Sequence, residues 1–224
     1  MAVITGAMGA AAVVGVIAAT PSGLPQADAA PTTAPAMPTA ATFIADVPGP
    51  AGETVTMAIS TSGDKVMAYA TNGTDDDAYF FGAQRDGHMH LMSVYGDELT
   101  ASFDGTAIAG EVTMNEDSSA PIDFSAARVE EPAGIYTAAV GTTRATYIVR
   151  ANRSAVGVMD NSAPGDHKVT DAIMADEKAF KDSVRQMRLD RQMQQAPALD
   201  TDTMTTDMSG QKIKAVRVTG DMSF

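Results

Sequence analysis

From Glu53 to Met159 the chain alternates apolar and polar residues between glycine-bearing turns. Val55, Met57 and Ile59 share one face of a strand, and Thr54, Thr56 and Ser60 the other. Ser62-Gly63-Asp64 turns the chain, Lys65 to Thr71 returns, and Asn72-Gly73 turns it again. Tyr79 and Phe81 alternate within Ala78 to Gln84, and Asp86-Gly87 is a two-residue hairpin signal. His88 to Tyr95 follows; then Leu99, Ala101 and Phe103 line one side of a strand that Asp104-Gly105 closes. Ile108 and Val112 face one way in the next strand, and Ile122, Phe124 and Ala126 alternate with Asp123 and Ser125. Connections this short make sequence neighbours spatial neighbours, which predicts an antiparallel meander. So many strands leave exposed edges unless the sheet closes or folds over, so the fold class is mainly β, a small barrel or a sandwich.

The pattern continues in Ile135 to Ala139, Ala145 to Arg150 and Ala155 to Met159, and breaks at Asn161. Val169, Ile173, Phe180, Val184 and Met187 recur at helical spacing. With Asp166 as N-cap and Pro197 as stop, they predict one long amphipathic helix over His167–Gln195. Lys212 to Thr219 alternates again as a last strand. The helix is therefore an excursion inserted before the last strand of a β body. The expected organisation is a leader over 1–29, a linker over 30–42, the β body over 43–160, the excursion over 161–197 and a completing strand within 198–224.

The leader follows from Ala2 to Ala19, which carry no charge, and from the small-x-small triplet Ala27-Asp28-Ala29. Cleavage is expected after Ala29. The first basic residue is Lys65, so the usual basic start of a signal peptide is missing. That leaves open an upstream start or a retained N-terminal anchor. Pro31, Thr32, Thr33, Pro35, Pro38 and Thr39 mark a Pro/Thr/Ala-rich spacer.

Charge narrows the function. Fifteen Lys+Arg against 28 Asp+Glu give a net charge of −13, which opposes nucleic-acid binding through phosphate neutralisation. The absence of cysteine removes disulfides, thiolate chemistry and Cys-based zinc sites. The acidity is segregated: six basic residues face 17 acidic ones between Phe43 and Asp160, and six face six between Asp166 and Gln195.

Several clusters invite chemistry. His88 and His90 at i, i+2 on a strand share one face, a spacing that metal sites use. Their third ligand would have to come from His167 or from Asp75, Asp76 and Asp77. Met89 and Leu91 would then face the core, and the simpler reading is two exposed histidines. The acidic run lacks the ordered oxygens of a calcium loop. No nucleophile elbow or phosphate loop occurs, so no catalytic residue and no cofactor are singled out. Asn72-Gly73-Thr74 and Asn152-Arg153-Ser154 match the glycosylation sequon by pattern alone. Lys178, Lys181, Arg185 and Arg188 fall at helical spacing and Arg191 continues them, a basic stripe. It is read as a solvated face, as a surface docked on the acidic body, or as a site for another envelope protein or an anionic surface.

The segments Met67-Ala68-Tyr69-Ala70, Ala78-Tyr79-Phe80-Phe81-Gly82, Leu99 to Gly105, Ala109 to Thr113, Pro132 to Tyr136 and Tyr147 to Arg150 resemble a family of exported actinobacterial, mycobacterial-type β proteins. The resemblance covers residues 43–160 and 198–220. It implies export and a β fold, and it carries no activity. The expected function is a secreted or cell-envelope scaffold that presents its helix for protein–protein interaction and is not an enzyme. The alternatives are a barrel carrying a small apolar ligand and, more distantly, a metal-dependent enzyme built on His88 and His90.

Overall fold

The computed structural model describes residues 36–49, 52–114, 120–161, 179–180, 182–183, 186 and 191–222. Eight strands form a closed antiparallel barrel in simple up-and-down order. They are β1 (Ala40–Pro48), β2 (Thr54–Ser62), β3 (Lys65–Thr71), β4 (Asp77–Arg85), β5 (His88–Ser93), β6 (Glu98–Phe103), β7 (Ala107–Thr113) and β8 (Ile122–Val129). Closure comes from β8 pairing β1, with Thr42 opposite Val129 and Ile44 opposite Ala127. The choice between barrel and sandwich thus resolves to a barrel, and it takes up residues 40–129, less than half of the chain. Its first strand starts at Ala40, inside the segment expected to be linker.

The hairpins form where the turn residues put them. Asp86 and Gly87 both have positive φ, 53° and 79°, as a tight hairpin turn requires. Asp104 Oδ1 accepts the N–H groups of Thr106 and Ala107, both at 2.8 Å. Inward-pointing Phe43, Met57, Ile59, Phe80, Leu91, Leu99, Phe103, Ile108 and Phe124 fill the barrel, alternating with Ala45, Ala68, Ala78 and Ala126. Phe43 meets Phe103 edge-on, with ring centroids 5.8 Å apart.

At Gly110 the strands approach too closely for any side chain. A Cβ there would lie 2.0 Å from the Thr100 carbonyl oxygen and 2.6 Å from Ala101 Cα. Both are backbone atoms and cannot swing away, so Gly110→Ala is expected to cost on the order of 2 kcal/mol by overpacking. Urea denaturation would measure it as a lowered midpoint with an unchanged slope.

The remaining described residues build two further sheets. One has the order β12–β11–β10–β9–β16, with β9 Gly134–Val140, β10 Thr143–Val149, β11 Ala155–Asp160, β12 Gln194–Gln195 and β16 Val216–Arg217. The other has three strands, β13 Leu199–Asp200, β14 Thr205–Met208 and β15 Gln211–Lys214. The five-stranded sheet is covered on both faces. Ile135 and Ile148 pack with Ala58, Met67 and Tyr69 on the outside of the barrel, joined by Val218. Tyr136, Ala138, Ala145, Tyr147 and Val149 pack on the other face with Met208 and Ala215.

Two expectations change here. The stretch expected as a single last strand is split between β15 and β16, and neither completes the barrel. Most of the helix expected over His167–Gln195 lies outside the described residues. Within it Ala179, Phe180, Asp182, Ser183 and Gln186 are helical in backbone, too few to define an element. Its expected last turn is not helical: Gln192 has φ 49°, and Gln194–Gln195 pair with β11. The chain leaves helical geometry before Pro197 rather than because of it.

Candidate functional site

The densest polar cluster among the described residues lies where the barrel, the five-stranded sheet and the returning excursion meet. Its positions follow from strand alternation. Tyr69 and Tyr79 are opposite one another in β3 and β4 and point outward, since Ala68, Ala70, Ala78 and Phe80 point in. Asp77, two residues before Tyr79, shares that outward face. Asp160 ends β11, in register with Arg144 of β10.

Arg191 bridges the two carboxylates. Its Nη1 lies 2.7 Å from Asp77 Oδ1 and its Nη2 2.6 Å from Asp160 Oδ2. The Asp160 contact is a hydrogen bond. The Asp77 contact is off the N–H axis, so Oδ1 gains an ionic partner but no aligned hydrogen bond. The Arg191 guanidinium also sits 5.7 Å from the centre of the Tyr95 ring, a cation–π distance. The Tyr69 hydroxyl donates to Asp77 Oδ2 at 3.2 Å, and the Tyr79 hydroxyl to Thr146 Oγ1 at 2.7 Å.

Burial sets the chemistry. The side chains of Asp77 and Arg191 are 1% and 6% exposed. Burial pushes the Asp77 carboxyl above the usual carboxylate range despite the opposing pull of Arg191. Burial and then the Asp77 charge push both tyrosine hydroxyls well above their usual value. For Arg191, burial works against the charge, but Asp77 and Asp160 among its neighbours outweigh it and hold the guanidinium protonated. A cleft with these shifts would suggest catalysis. Here the carboxylates and the guanidinium are buried against one another, so they tie the layers together.

The shifts predict an unusual acid profile. Hydrogen bonds to Asp75, Asp104, Asp200 and Asp221 depress their carboxyls. Stability from them is present above the unfolded value of about 4 and is lost as pH falls through their folded values. Asp77 has the opposite sign: the folded state takes its proton first, so its contribution rises as pH falls. Asp77→Asn should therefore lose stability more steeply than wild type from neutral pH towards pH 3, measured as thermal midpoints.

The cluster also closes the neck of the excursion. Val158 and Met159 pair with Gln195 and Gln194. The Ala196 N–H donates to the Gly157 carbonyl at 3.0 Å, and the Asn161 N–H to the Arg191 carbonyl at 3.4 Å. Arg191 adds to these backbone bonds an ionic tie from the neck to the barrel.

The other candidate residues fall elsewhere. His88 and His90 do share the exposed face of β5, with Met89 and Leu91 buried behind them. His90 Nε2 lies 2.6 Å from Glu98 Oε1. His88 is paired with Arg85, at the far end of β4 from Asp77, so the Asp75–Asp77 turn cannot complete a site with it; His167 lies outside the described residues. Among the described residues no three His, Cys, Asp or Glu converge as metal ligands. Asn72 Oδ1 accepts the N–H groups of Thr74, Asp75 and Asp76 at 2.9, 3.1 and 3.0 Å, and Asn152 Oδ1 accepts from Ser154. Both sequon asparagines are occupied as turn caps. Lys178, Lys181, Arg185 and Arg188 lie outside the described residues. Arg191, expected on the exposed stripe with them, is instead buried between two aspartates, because it follows the excursion into the joint.

Reading along the chain missed this cluster because its charges come from three distant segments. The local signals were faint: Asp77 is the last of three aspartates before a strand, and Asp160 ends an otherwise apolar one.

The outer face of β5–β8 is polar. Glu98, Thr100, Ser102, Glu111, Asp123 and Ser125 are exposed, with Met92 the one large apolar side chain exposed beside them, while Met89, Leu91, Leu99, Phe103, Ile108, Val112 and Phe124 point in. A membrane-spanning barrel has the reverse arrangement. No helix among the described residues is long and apolar enough to cross a membrane.

No protein-family model matches the chain, and neither the curated proteins nor the solved structures contain a significant match to it.

Proposed function

We propose that this chain is an exported, non-enzymatic protein of the cell envelope or extracellular space whose β scaffold presents a segment for protein–protein interaction. The observation that carries this reading is that, among the described residues, the barrel interior and the polar cluster are both occupied by the protein's own side chains. The barrel interior is packed with its own side chains, and the polar cluster is buried around Arg191. Binding is thereby left to the surface. The uncharged leader pattern and the family resemblance support export.

Lys178, Lys181, Arg185 and Arg188 are the proposed contact residues for a partner protein or an anionic surface; Arg191 is withdrawn from that set. Crosslinking in intact cells, with those four residues reversed to Glu, tests the assignment. Loss of a specific crosslinked partner supports it, and an unchanged partner set counts against it. Recovery of a mature form starting at Ala30 from medium or envelope would support export, and recovery only from cytosol would oppose it.

The second reading is a carrier of a small apolar ligand. It is favoured by the strand number, since eight-stranded barrels are wide enough to hold one small molecule. The large residues inside, Phe43, Phe80, Phe103 and Phe124 among them, weigh against it.

A further inference from the structure

We infer that Arg191 is a clasp: it fixes the neck of the 162–190 excursion to the barrel–sheet joint, and its loss opens that neck without opening the barrel. The inference concerns how the excursion is mounted and does not rest on what the excursion binds.

Three observations converge on it. Among the described residues the pairing across the neck is short: β12 has two residues and the bond from Asn161 to Arg191 is long at 3.4 Å. Among the described residues the neck also carries a short ionic contact. Arg191 joins Asp160, on the outgoing side of the neck, to Asp77, on the barrel. The two acids belong to different layers and carry like charge, so without the guanidinium they repel and draw water into the joint. The barrel, in contrast, is closed by continuous pairing from β1 to β8 and by its own apolar interior. None of those interactions passes through Arg191.

Arginine is required by the geometry. Its planar fork meets two carboxylates at once, whereas a lysine ammonium is a single point charge on a flexible stem.

Hydrogen exchange on the full chain, read by mass spectrometry, tests the clasp. In Arg191→Met, exchange at 157–161 and 194–196 should rise tenfold or more, with the amides of β6 and β7 within twofold of wild type. Arg153→Met also removes one cation, from the exposed Arg153–Asp202 pair, and should leave the neck at wild-type rates. Arg191→Lys should give a smaller rise confined to the neck, and it decides the matter if Arg191→Met does not fold. Unchanged neck exchange in the Arg191 variants would overturn the inference. So would an equal rise in neck and barrel, because Arg191 would then be an ordinary part of the core.

Discussion

Phe43→Ala is expected to destabilise the protein by about 3–5 kcal/mol, the range for removing a fully buried aromatic. Phe43 lies on β1, the strand that closes the barrel against β8, with Arg128 opposite it. It is fully buried and meets Phe103 edge-on, so truncation leaves a void beside the seam and removes an aromatic pair. The neighbours cannot collapse freely into that void, because hydrogen-bonded strands hold them on both sides. Chemical denaturation should show the loss. Exchange at the β1–β8 seam should rise more than exchange in β2–β3, since the seam is the shorter pairing. Phe43→Leu keeps most of the volume and should cost well under half as much.

Tyr147→Ala has a comparable expected cost, about 3–5 kcal/mol, for a different reason. Tyr147 is at the centre of the second core, between the five-stranded and the three-stranded sheet. Its hydroxyl donates to the Pro197 carbonyl at 3.0 Å and lies 2.9 Å from Thr206 Oγ1. One side chain thereby fixes both the chain leaving β12 and strand β14. Tyr147→Phe separates the two contributions. It keeps the ring and should cost about 1–2 kcal/mol, the price of leaving buried polar partners less well satisfied. If Phe and Ala variants were equally damaged, the hydroxyl and not the ring would be holding the layer.

The barrel strands and β9 to β11 were legible along the chain, but that β9 to β11 leave the barrel for a sheet of their own was not, for a physical reason. Strands β5 to β8 are half-buried: Met89, Leu91, Leu99 and Phe103 point in, and His88, His90, Thr100 and Ser102 point out. That contrast is written in the alternation, and turns such as Asp86-Gly87 fix the register. Strand β10 is different. Ala145 to Val149 are all buried, because the barrel covers one face and the second core the other. A strand covered on both sides can be recognised as a strand, but nothing in it says which layer lies on which face. Strands β12, β13 and β16 have two residues each, too short to carry any period. Ser60 and Val218, which touch across the joint at 3.4 Å, are brought together only by the finished fold.

The candidate site was less legible still. The basic spacing ending in Arg191 reads as one exposed stripe, since helical periodicity assigns a face without saying what lies opposite. Arg191 lies beyond helical geometry and turns inward onto Asp77 and Asp160. The histidines were placed correctly on an outer face, where His90 meets Glu98. What remained invisible was the pairing of the aspartate that opens β4 with an arginine far along the chain.

The central proposal, that the barrel is a filled scaffold and not a carrier, is tested most directly by titrating the purified full chain with a fluorescent fatty-acid analogue. The account predicts no saturable binding, with any fluorescence rising linearly and unchanged in Ala68→Leu, which adds bulk inside the barrel. One-site saturable binding that Ala68→Leu abolishes in a still-folded chain would contradict it and establish the interior as a ligand site.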